Sequence, residues 1–132
     1  MRFPLDAIWM FDKAIPLTTQ SMILGQVFGA NDNPIYATWG LKGHNGQDWP
    51  CVDSVNVYAA HNGIVHKVVE ATTAPNGTRG NGILLREENP KDGKYLVSCY
   101  WHLKDFIVNE GQKVSEGEVM GHADSTGFST GT

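Results

Sequence analysis

Apolar residues fall along this chain in short runs of strand length, and no long segment keeps the period of an amphipathic helix. Fifteen glycines and six prolines separate the runs. The pattern predicts an all-β fold: an antiparallel, hairpin-rich single domain with a central sheet and long loops. Strands are predicted at Val55 to Ala60, Ile64 to Glu70, Gly82 to Arg86 and Lys94 to Leu103. They end near turn signals such as His61-Asn62-Gly63 and Lys91-Asp92-Gly93. Along the last strand the period of two puts Leu96, Ser98, Tyr100 and His102 on one face. Tyr95, Val97, Cys99 and Trp101 take the other, greasier face. The stretch from Ala71 to Asn81 is a polar loop joining two predicted strands, of a length that suits either binding or a surface insertion. Residues 1–24 are too short for a domain and are expected to pack on the sheet or lead in from another module.

Composition narrows the function classes. A chain of 132 residues with 41% hydrophobic content suits one compact domain with a real core. The ten Lys and Arg are scattered and the formal net charge is −4, which disfavours a nucleic-acid partner or an anionic membrane surface. No apolar run approaches a spanning helix, and Met1-Arg2-Phe3-Pro4-Leu5-Asp6 lacks the apolar stretch of a secretory signal. Cys51 and Cys99 are too few for a disulfide framework and read as two small buried thiols, with a single bridge left open.

Candidate chemistry lies in two places. Gly43-His44-Asn45-Gly46-Gln47-Asp48-Trp49 carries an imidazole and a carboxylate four residues apart in a glycine-containing loop, where both can converge on one zinc ion. The plainer alternative is Asp48 capping a turn with His44 exposed. In Tyr100-Trp101-His102-Leu103, a histidine sits at a strand end among large aromatics. Its plainer alternative is a half-buried, hydrogen-bonded structural histidine.

Several segments in order resemble the lysostaphin-type (LytM-like) zinc metalloendopeptidases, which cut peptide cross-links in bacterial peptidoglycan. Gly25-Gln26-Val27-Phe28-Gly29 is similar to the family's opening Gln-x-Phe-Gly, and His44-Asn45-Gly46-Gln47-Asp48-Trp49 to its His-x-Gly-x-Asp-aromatic ligand loop. Val57 to Val65 resembles the strand and turn that follow, Gly80-Asn81-Gly82-Ile83-Leu84-Leu85 the Gly-Asn-x-hydrophobic strand, and Tyr100-Trp101-His102-Leu103 the Tyr-x-His-Leu with a catalytic histidine. Gly111 to Gly121 and Ser125 to Gly131 resemble the Gly-rich hairpin and the Thr-Gly-x-Ser-Thr-Gly approach to a final His-Leu-His.

The resemblance implies a lysostaphin/LytM-type fold, related to duplicated hybrid-motif folds, over residues 25–132. It implies Zn2+ as cofactor, His44 and Asp48 as metal ligands, His102 as a catalytic residue, and a peptidoglycan peptide as substrate. The third ligand of the family belongs to a His-x-His that would follow Gly131. The domain is therefore expected to be C-terminally incomplete, the natural chain to continue, and the 132 residues alone to be inactive.

Two other readings stay open: a non-catalytic wall-binding or activator module on a degenerate peptidase fold, and more distantly a biotinyl- or lipoyl-type carrier. The carrier reading draws on Gly111 to Val119 and on Asp12-Lys13-Ala14, but leaves His44, Asp48 and His102 unexplained. Among the remaining histidines, His61 is expected in a hairpin turn, His66 on a strand and His122 in a surface turn beside Asp124. Alternation sets Cys99 opposite His102 and removes it as a co-ligand. An extracellular, periplasmic or phage- and virion-associated setting follows from the resemblance, with no membrane insertion and an oligomeric state left open.

Overall fold

The computed structural model describes residues 7–10, 13–16, 37, 40, 42, 46, 48, 51, 54–71 and 80–124. The chain divides into two units, Ala7–Cys51 and a second comprising Met1–Asp6 with Val52–Thr132. The first holds an antiparallel hairpin of β1 (Ala7–Met10) and β2 (Lys13–Pro16), with Ile8 opposite Ile15 and Trp9 opposite Ala14.

The second unit is built on a six-stranded antiparallel sheet. Its strands are β3 (Asn56–Tyr58), β4 (Gly63–Val69), β5 (Asn81–Arg86), β6 (Val97–Phe106), β7 (Lys113–Val114) and β8 (Val119–Ala123), ordered β3-β8-β6-β5-β4-β7. The all-β, antiparallel expectation holds. The predicted Asp-Gly turn is a tight one, with Asp92 and Gly93 at φ 51° and 71° and Lys91 and Lys94 exchanging backbone hydrogen bonds of 2.8 and 2.9 Å.

Strand order forces this sheet to roll. β3 and β4 lie four positions apart, on the order of 19 Å at normal strand spacing, yet only Ala59 to Asn62 connect them. β7 and β8 are just as distant in the sheet and just as closely connected. The two short links meet: Ala59 N–H donates to the Glu118 carbonyl at 2.9 Å and Gly117 N–H to the Ala59 carbonyl at 2.8 Å. Inside the curl lie Val57, Ala59, Val65, Ile83, Leu85, Tyr100, Leu103, Val114 and Met120, all buried.

The greasier face of β6 is the outer one. Val97 and Trp101 are more than two-fifths exposed and Cys99 is also exposed, whereas Tyr100 is buried and Ser98 half-buried. Leu84 and Gly82 on β5 and Val69 on β4 share this outer surface, which gives it apolar cover from neighbouring strands. The expectation of two buried thiols is corrected accordingly: neither cysteine is in a disulfide, and Cys51 is half-buried and Cys99 exposed.

Candidate active site around His102

His102 is the residue at which β6 stops alternating. Trp101 pairs with Gly82 and Leu103 with Asn81, so one step on β5 opposes two on β6 and His102 is the extra residue of a bulge. Its φ is +61°, in the left-handed region that histidine enters uncommonly. The bulge also shifts the phase of burial: Ser98 and Tyr100 point inward before it and Leu103, 2% exposed, after it. The period-of-two assignment of His102 to the Tyr100 face therefore ends at Trp101, because a bulge inserts a residue that the pleat does not count.

The surrounding backbone is closely tied. The His102 carbonyl accepts the Asp124 N–H at 2.9 Å, from the residue after β8. Asn81 donates from Nδ2 to the carbonyls of Leu103 (2.9 Å) and Lys104 (3.3 Å), and its Oδ1 accepts the Ala71 N–H at 2.7 Å. The Trp101 indole lies on Gly82, where any Cβ would run into its six-membered ring. His102 itself is half-buried.

The predicted ligands fall elsewhere in the chain. Asp48 belongs to the Ala7–Cys51 unit and is exposed. His44, the opening Gln-x-Phe-Gly segment and the Ser125 to Gly131 approach lie outside the described residues, as does most of the loop from Ala71 to Asn81. Among the described residues no group of three or more His, Cys, Asp and Glu side chains is arranged to hold a metal ion.

Of the other described histidines, His61 and His122 have structural partners. His61, expected in a hairpin turn, lies instead in the link between β3 and β4, which do not pair, and it is buried, 7% exposed. Its Nδ1–H donates to the Asn62 carbonyl at 2.8 Å, and Nε2 lies 2.9 Å from Ser98 Oγ. Ser98 Oγ is 2.9 Å from Tyr100 Oη, which also accepts the Ala60 N–H at 2.9 Å. Burial pushes the Tyr100 phenol up from its ordinary value, against the pull of the hydrogen bonds from Ser98 and Ala60. His66 is an exposed bulge residue of β4.

His122 is not the turn residue expected. It lies within β8 opposite Asp105 of β6, and its Nδ1–H donates to the two Asp105 carboxylate oxygens at 2.8 and 3.0 Å. Asp105 also accepts the His122 backbone N–H at 3.1 Å, which makes it the partner in place of Asp124.

Reading by sequence alone missed Asn81, the Ser98–His61 contact and the Asp105–His122 pair. Asn81 had a visible signal, a short polar residue between two glycines at the start of a strand. The other two are long-range pairings, with no local signature.

Comparison with known proteins gives these features a context. The chain is 34% identical over 104 residues to the DD-carboxypeptidase/endopeptidase Mpg of Neisseria meningitidis serogroup B, a match covering 79% of this chain and 21% of that protein. It is 31% identical over 94 residues to the peptidoglycan DD-endopeptidase ShyC of Vibrio cholerae serotype O1, covering 71% of this chain and 19% of that protein. The matches span about a fifth of these curated relatives. The sequence profile of peptidase family M23 matches residues 42–132, which include Asp48, Asn81 and His102. The chain therefore belongs to peptidase family M23.

Proposed function

We propose that this chain carries the catalytic domain of a zinc-dependent endopeptidase that hydrolyses peptide cross-links of bacterial peptidoglycan, working outside the cytoplasm. Family membership supports the peptidase class, the names of the Neisseria and Vibrio relatives support endopeptidase activity, and that of the Vibrio relative supports the substrate. The observation that carries the reading is the left-handed backbone of His102 at its bulge. Backbone strain of this kind persists only where surrounding structure enforces it, and it concentrates at functional sites.

The donor chemistry fits zinc. His44 and Asp48 offer an imidazole nitrogen and a carboxylate oxygen, both good ligands, and Asp48 is exposed. These two residues would hold the ion, together with a third donor. Zinc, when bound, supplies Lewis acidity: it polarises the scissile carbonyl and brings the pKa of water to about 7.

His102 contributes proton handling. Its imidazole accepts a proton from the attacking water or donates a hydrogen bond to the oxyanion as the carbonyl becomes tetrahedral. The bulge fixes where that ring starts, which matters because proton transfer requires hydrogen-bond reach.

The deciding experiment uses the full polypeptide containing this domain and cross-linked muropeptides. His102→Ala is expected to lower kcat by about 10²- to 10⁴-fold with zinc retained, while His44→Ala loses the metal. Full activity of His102→Ala, or cleavage in the absence of bound zinc, would sink the reading. Wall binding with no cleavage by the wild type would favour a non-catalytic module.

A further inference from the structure

We propose that Asn81 is a positioning residue for His102: its carboxamide holds open the β6 bulge that puts the His102 backbone in the left-handed region. The catalytic consequence rests on the reading of His102 given above, whereas the structural relation stands independently of it.

A bulge needs an anchor because the ladder skips a residue. Asn81 begins β5 and its register partner is Leu103, immediately after the extra residue His102. Here the neighbouring strand supplies side-chain donors in addition to its backbone: Asn81 Nδ2 reaches the carbonyls of Leu103 at 2.9 Å and Lys104 at 3.3 Å. The other end of the same amide accepts the Ala71 N–H at 2.7 Å, just beyond β4. One planar group thus spans from the end of β4 to β6 and draws together the two carbonyls that follow His102.

The residue type matters. Asparagine presents two donors and one acceptor from a short stem, and this site uses both ends. Aspartate keeps the acceptor for Ala71 but turns only acceptors toward the β6 carbonyls. Alanine supplies neither.

The other neighbours of His102 are held as well. Its carbonyl accepts the Asp124 N–H at 2.9 Å, and Trp101 before it is laid on Gly82. Register on either side of His102 is therefore set by β5 and β8, and the carboxamide of Asn81 secures the remaining segment, Leu103 and Lys104. With all three in place, the extra residue of the ladder falls at position 102, which is where the positive φ occurs.

A purely structural role would make Asn81 a tie between β4 and β6 with no special relation to His102. A double-mutant cycle separates the two, because glycine takes positive φ without strain. Positioning requires N81A to raise the unfolding equilibrium constant about five-fold less in the wild-type background than in H102G, because only histidine regains strain when the bulge relaxes. Equal effects in the two backgrounds would overturn the proposal.

NMR supplies the direct readout. The strong intraresidue amide-to-Hα NOE of a positive φ is expected at His102 in the wild type, and expected to be lost in folded N81A and N81D. Persistence of that signature in both variants also overturns the proposal. If the variants fold only when combined with H102G, the strain at residue 102 persists without Asn81 and the proposal fails; if they fail to fold in either background, Asn81 serves the fold as such and it fails likewise.

In the full polypeptide, kcat of N81D should fall about ten-fold or more with KM little changed. Loss of the NOE in N81D together with a fully active H102A would refute the catalytic reading of His102 and leave its positioning by Asn81 intact. An inactive H102A with an NOE unmoved by N81A and N81D would do the reverse.

Discussion

His102 combines two properties that seldom coincide, a left-handed backbone and a side chain with proton chemistry. For an L-residue that conformation costs about 1–2 kcal/mol relative to a right-handed one. Two substitutions isolate the backbone contribution, since alanine and glycine both remove the imidazole but only glycine escapes the strain. His102→Gly is therefore expected to be more stable than His102→Ala by about 1 kcal/mol in urea unfolding. Equal stability, or a more stable alanine variant, would mean that the positive φ relaxes at no cost. Here too lies the limit of what the sequence discloses. Tyr-x-His-Leu marks the histidine, and alternation correctly sends Val97, Cys99 and Trp101 to one face. A bulge of this kind is usually announced by glycine, and with histidine in that place nothing local signals the phase change. Its cause lies across the sheet, in Asn81.

At the scale of elements, β4, β5 and β6 were legible because each carries several apolar positions between clear turn signals. β7 has two residues, too few for any period, and β8 reads Val119-Met120-Gly121-His122-Ala123 with no clean alternation. β8 nevertheless lies between β3 and β6, pairing on both sides, so partners on either edge stabilise it more than its own pattern does. Gly121 is part of the reason those partners can approach. A Cβ there would collide with the Asp105 carbonyl oxygen on β6, an atom of the backbone that cannot rotate away. Gly121→Ala should thus cost about 1–3 kcal/mol by forcing β6 and β8 apart, and it should disturb the Asp105–His122 contact beside it. Thermal unfolding with the His122 imidazole resonances as reporter checks both effects. An unchanged midpoint would show that the strands separate freely at this row.

The whole β-sheet unit is held in its curl partly by polar contacts that reach across it. The β3–β4 link is fastened to β6 through His61 and Ser98, and through the Ala60 N–H on Tyr100. The phenol accepts both of its hydrogen bonds, so it is burial that opposes its ionisation. Burial raises the Tyr100 pKa above its ordinary value of 10.0, with a smaller push from the Cys99 charge, and partial desolvation of the largely exposed Cys99 raises its thiol above 9.0. In each case the folded protein holds the proton more tightly than the unfolded chain does. The stability so contributed is complete below the unfolded-state values and is lost as pH rises past them through the folded ones. Stability should therefore hold at neutral pH, begin to decline near pH 9 as Cys99 starts to matter, and fall more steeply beyond pH 10. Cys99→Ser should remove the earlier onset. Tyr100→Phe should have effects of opposite sign: it deprives the buried Ala60 N–H of its acceptor, at about 1–3 kcal/mol near neutrality, and it flattens the decline above pH 10. Denaturant midpoints of the three proteins from pH 7 to 11 test this directly. Parallel curves for wild type and Tyr100→Phe above pH 10 would show that the phenol ionises equally well folded and unfolded, and that its burial opposes no charge.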